Sequence, residues 1–113
     1  MTDTVNLSMT DVPNIAGLVE VATDSTVSRT VLTAEGARIV LFAFDVGQEL
    51  TEHMAAVPVL LQAIDGAFDV TADDRTVRLT PGTVIHLGTR TPHAVVALEP
   101  SRLMLTMLDP RLT

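Results

Sequence analysis

The residues in this chain best suited to chemistry are three histidines, and all of them lie in two short segments. The first segment is Gly47-Gln-Glu-Leu-Thr-Glu-His53, closed by Gly66. The second is Pro81-Gly82-Thr-Val-Ile-His86-Leu-Gly88, closed by Thr91-Pro92-His93. Imidazole is the side chain most often used to hold a transition metal, and the one most easily tuned for proton transfer near neutral pH. Other chemistries find little support. No Gly-rich phosphate loop precedes a helix, and no Gly-x-Ser-x-Gly elbow occurs. Ser8, Ser25, Ser28 and Ser101 lie outside both histidine segments. The absence of cysteine excludes disulfides, thiolate catalysis and thiolate-bound zinc.

The elements that must position these histidines read as short strands. One hundred and thirteen residues suffice for one domain with one core. The hydrophobic fraction is 47 %, carried mainly by Val, Leu, Ile and Ala, with three Phe and no Trp or Tyr. The mean hydropathy of +0.38 is apolar for a chain of this size. Such a surface is expected to hide part of itself in a homodimer. The net charge of −7 argues against nucleic acid, because phosphate binding needs clustered cations and the seven basic residues are scattered arginines. No stretch has the pattern of a membrane surface helix, a membrane span or a signal peptide, so the expected location is the cytoplasm.

Residues 1–13 are polar and read as an extended arm, with the domain proper at 14–113. Strands are predicted at 18–21, 27–32, 37–45, 59–65, 67–72, 76–79, 84–87, 94–98 and 102–108, and no helix. Gly, Pro or Asp punctuates most of the joints. Strands of this length and spacing indicate an antiparallel sandwich or barrel. Asp65-Gly66 predicts a hairpin between the runs at 60–64 and 68–70. Asp73-Asp74-Arg75 predicts a second turn, so the paired acids are turn residues and not an acid/base dyad. Leu103-Met-Leu-Thr-Met-Leu108 is assigned to the core.

The spacing Gly-x5-His, a Gly thirteen residues later, then Pro-Gly and Pro-His, resembles the cupin superfamily over residues 37–108. The first motif of that superfamily has the shape G-x5-H-x-H-x(3,4)-E-x6-G. Gly47, His53 and Gly66 fall in place, while Ala55 stands at the second His and Val59 at the Glu. The second motif has the shape G-x5-P-x-G-x2-H-x3-N. Gly82 and His93 match, while Gly88, Arg90 and Ala97 replace Pro, Gly and Asn. The run Glu52-His-x-Ala55-x-x-Pro58, with Gln62 and Gly66, and later His86-Leu87 before Pro92-His93-Ala94, is similar to short single-domain bacterial proteins of the cupin 2 type. The resemblance implies an all-β, antiparallel, single-domain jelly roll, the double-stranded β-helix barrel. It also implies that half of the usual set of metal ligands, three His and one Glu, is missing.

Strand parity puts His53 and Ala55 on one face, at the mouth of a barrel with room for one small ligand. His93 arrives from a neighbouring strand. A replacement metal ligand is sought first in His86, whose face is left open, and then in Gln62 or Glu52. Arg90 is placed to meet an anionic ligand. The residues expected to line the pocket are therefore His53, Ala55, Val59, Gln62, His86, Arg90 and His93. Two functions follow. One is a small-molecule binding module without robust catalysis, suited by the apolar Ala55, Val57 and Val59. The other is a metal-dependent oxygenase, isomerase or decarboxylase, with His53, His93 and His86 or Gln62 holding Fe, Mn, Ni, Zn or Cu. The first is favoured. A sensor role acting through another chain is a third reading.

Overall fold

The computed structural model describes residues 8–112, so residues 1–7 of the expected arm and Thr113 lie outside the described residues. Among the described residues there are nine strands. They are β1 (Thr26–Ala34), β2 (Ala37–Phe44), β3 (Glu49–His53), β4 (Val59–Asp65), β5 (Phe68–Ala72), β6 (Arg75–Leu79), β7 (Val84–Leu87), β8 (His93–Ala97) and β9 (Ser101–Leu108). Every pairing is antiparallel. Sheet A has the order β1-β2-β9-β4-β7 and sheet B the order β3-β8-β5-β6.

Period-two burial decides how the sheets meet. On β4, Val59, Leu61 and Ala63 are buried while Leu60, Gln62 and Ile64 turn to the other face. On β8, His93, Val95 and Ala97 are buried. The shared core joins Phe44, Val59, Leu61, Ala63, Leu87 and Leu103 of sheet A to Phe68, Val70, Leu79, Val95 and Ala97 of sheet B. Phe44 meets Phe68 edge-on at 5.2 Å between centroids, a favoured geometry for two ring quadrupoles.

Three sequence expectations change. The run 18–21 is not a strand. A 3-10 turn at Ile15–Gly17 precedes it, and the segment lies on the outward face of sheet A, where Val19 packs with Leu41 and Ala43. Arg29 and Arg102 hold it there by donating to the carbonyls of Leu18 and Val19 at 3.1 and 2.9 Å. Backbone groups satisfied by side chains leave no ladder for a strand. Asp65-Gly66 is a turn, with Gly66 at φ +77°, but it does not close a hairpin. It passes the chain from sheet A to sheet B, because β4 pairs with β7 and β9 whereas β5 pairs with β6 and β8. A glycine turn permits a reversal without choosing the partner strand. Finally, β3 is a strand that the reading by composition passes over, because its residues Glu49, Thr51, Glu52 and His53 are exposed. The Asp73-Asp74 hairpin forms as expected, with both residues at positive φ.

Two connections at one end of the sandwich matter most. Residues 54–58 carry the chain from β3 in sheet B to β4 in sheet A. Residues 88–92 carry it from β7 in sheet A to β8 in sheet B. The Arg90 N–H donates to the Ala55 carbonyl at 2.8 Å and ties the two loops together. No helix among the described residues is long and apolar enough to cross a membrane.

Candidate functional site

His53 closes β3 and His93 opens β8, and the two are direct partners across the ladder. Their rings lie 4.3 Å apart between centroids, tilted by 57°. In each, Nδ1 lies 2.8 Å from the carbonyl two residues earlier, Thr51 for His53 and Thr91 for His93. A carbonyl only accepts, so Nδ1 carries the hydrogen in both rings, and the neutral rings keep a lone pair on Nε2. The two imidazoles are thereby oriented alike by the same local bond. His93 is 3 % exposed, whereas His53 faces solvent. One ring forms the floor of the site and the other its open wall.

Electrostatics reinforce this arrangement. Burial is the main force pulling the His93 pKa below its ordinary 6.5. The Thr91 carbonyl opposes that shift, and the charge His53 would carry adds to it. Neutral His93 is therefore favoured, with its Nε2 an acceptor.

The other expected site residues divide. Ala55 lies beyond the end of β3, and the β3–β8 register shifts between Leu50 and His53, so strand parity does not govern it. Ala55 packs against the core from the 54–58 loop, and Val59 is fully in the core. Arg90 is exposed in the 88–92 loop at φ +57°, with its N–H held by Ala55. Gln62 is not brought to the pair. It stands opposite Val84 and Met104, on the face of sheet A turned away from the shared core. His86 is exposed on the edge strand β7, opposite Leu60 and so on that same outward side. It also borders a small cavity of about 60 Å³ with Val70, Ala72, Asp73, Arg75 and Ile85.

A metal ion is the group a resemblance to cupins implies, and the donor set tests it. Each imidazole keeps Nε2 available because a carbonyl takes its Nδ1–H, as carbonyls behind metal-bound histidines commonly do. Among the described residues, however, no group of three or more His, Cys, Asp or Glu converges. Tightly held first-row metals ordinarily have three protein ligands or more, so the residues present do not make up a resident metal site.

Arg75 escaped the sequence reading. It opens β6 opposite Ala72, which itself stands opposite His93. The only local signal was a cation just after the Asp73-Asp74 turn. Its proximity to the histidines depends on the β5–β8 pairing, which is remote in sequence.

The fold and this paired-histidine mouth define a class, an antiparallel two-sheet barrel with its site at one end. No protein-family model matches the sequence, and no curated protein matches it. Solved structures do. A cupin superfamily protein from Desulfitobacterium hafniense aligns with TM-score 0.80 at 21 % identity, covering 96 % of this chain and 99 % of that one. A conserved protein of unknown function from Streptococcus pyogenes aligns with TM-score 0.79 at 26 % identity over 98 % and 97 %. An RmlC-like cupin from Desulfovibrio desulfuricans aligns with TM-score 0.78 at 24 % identity over 88 % and 97 %. The fold is that of the cupin superfamily.

Proposed function

We propose that this cupin binds a small molecule at the His53–His93 mouth, without a resident metal. The observation that carries the reading is the pair itself: two rings 4.3 Å apart, each held by its own carbonyl, each with Nε2 free to accept. Apolar Ala55 and Val59 stand where the family motif has metal ligands, and both join the core instead of the site. A fragment set followed through the ring resonances of labelled His53 and His93 tests it. The expected result is saturable perturbation of both rings, lost in His53→Ala. Fragments that bind elsewhere while both rings stay silent would overturn it.

The metal-dependent reading keeps one favourable observation, the two Nδ1–carbonyl bonds that orient Nε2 outward. It lacks a third ligand among the described residues: Gln62 stands on the outward face of sheet A, and His86 borders the small cavity from the edge strand β7, apart from the pair. A second proposal concerns assembly. The outward face of sheet A presents Ile39, Leu60, Met104 and Val84, which the segment at 15–21 covers only in part. We propose that a second copy of the chain covers the remainder, as the apolar composition leads one to expect.

A further inference from the structure

The inner face of sheet B carries one register row across all four strands at the mouth: His53 on β3, His93 on β8, Ala72 on β5 and Arg75 on β6. Adjacent strands lie about 4.8 Å apart, so Arg75 and His93 are separated by about 10 Å of backbone. Only the methyl group of Ala72 stands between them. The small cavity lies on the Arg75 side of this gap, bordered also by Val70, Val77, Ile85, His86 and Leu87.

The arginines of the chain are not used evenly. Arg78, Arg102 and Arg111 form ion pairs with Asp69, Asp65 and Asp109, and Arg29 donates to the Leu18 carbonyl. Among the described residues, the guanidinium groups of Arg38, Arg75 and Arg90 make no hydrogen bond or ion pair. All three sit at the histidine end. Arg90 is in the loop entering His93, Arg75 is in the histidine row, and Arg38 shares a row with Met107 and Val59 at the start of β4. Asp73 borders the same cavity and forms no ion pair with Arg75. Arg38 lies in the field of Asp109, which leaves Arg75 and Arg90 as cations without a bonded acid at one mouth of a chain of net charge −7, a place for an anion. A planar guanidinium is matched to a carboxylate. The Nε2 atoms at the other end of the row call for a hydrogen-bond donor, which a carboxylate is not.

We infer that the mouth binds a short hydroxycarboxylate, its carboxylate on Arg75 and its hydroxyl donating to Nε2 of the His53–His93 pair. The inference rests on the small-molecule reading above and names its ligand class. Three probes of one carbon skeleton test it on the full chain: 3-hydroxybutyrate, butyrate and 1,3-butanediol, titrated against labelled histidine rings. The expected result is that 3-hydroxybutyrate moves both rings with a Kd about tenfold below those of butyrate and the diol, the scale of one hydrogen bond. Arg75→Ala should raise the Kd for 3-hydroxybutyrate by about tenfold and leave the diol unchanged, with Arg75→Lys between the two. Arg75 is exposed at a turn, and the backbone amide spectrum verifies that the variant folds. Diol binding equal to that of the acid, or an Arg75→Ala variant with unchanged acid affinity, would overturn the hydroxycarboxylate assignment while leaving the pocket reading in place. Silence of both rings with all three probes would overturn the assignment too, and the neutral fragments would then decide the pocket reading separately.

Discussion

At the scale of single residues, the site is an asymmetric pair. His93 is buried and His53 is not, and that difference sets the response to pH. The folded state holds the His93 pKa below 6.5, so the unfolded chain takes up a proton first as pH falls. This stabilisation is fully present above pH 6.5, where both states are neutral. It is lost progressively below 6.5, down through the lower folded value. Denaturant unfolding between pH 7.5 and about 5 should show stability falling with acid, and His93→Asn should flatten that dependence. An unchanged slope in the variant would contradict the assignment. His53→Ala removes an exposed ring and should alter stability by no more than about 1 kcal/mol. It should nevertheless abolish ligand-induced shifts at His93. The two histidines were legible in the sequence as residues able to do chemistry. Their contact became visible only through the β3–β8 register. Arg75 was not legible at all, because its place in the row depends on two successive pairings, β6 with β5 and β5 with β8.

At the scale of elements, most strands can be read from alternating apolar residues, as on β4 and β8, where burial and period agree. β3 cannot, since Glu49, Thr51, Glu52 and His53 are all exposed and the strand is held by pairing with β8 rather than by burial. Asp65-Gly66 shows the reverse case, a strong turn signal that carries no information about which strands pair. Its requirement for glycine is tested directly. Gly66 has φ +77°, and a Cβ there would run into Ser101. Ser101 itself cannot readily give way, because its Oγ accepts from the Ala67 N–H at 3.0 Å and donates to the Glu99 carbonyl at 2.7 Å. Gly66→Ala should therefore cost at least about 2 kcal/mol, combining left-handed strain with overpacking. The urea midpoint should fall with m unchanged. A neutral substitution would mean that the sheet-to-sheet turn is looser than the contact implies.

At the scale of the whole molecule, two faces of the barrel differ in chemistry. The inward face of sheet B ends in the His53–His93–Ala72–Arg75 row. The outward face of sheet A carries the apolar Ile39, Leu60, Met104 and Val84 and is only partly covered by the 15–21 segment. If a second copy completes that cover, Leu60→Asp should halve the mass measured by light scattering while leaving the circular dichroism intact, since a charge in an apolar interface is costly and on a free surface is not. A monomeric wild-type chain would remove the assembly proposal without touching the site. The central claim, that the histidine pair receives a small molecule and not a resident metal, is tested most directly by elemental analysis of the purified, untagged protein beside His53→Ala and His93→Ala. The expected result is metal far below one equivalent per chain in all three, unchanged by either substitution. Near-stoichiometric metal in the wild type that disappears in both variants would contradict the account and make the metal-dependent reading primary.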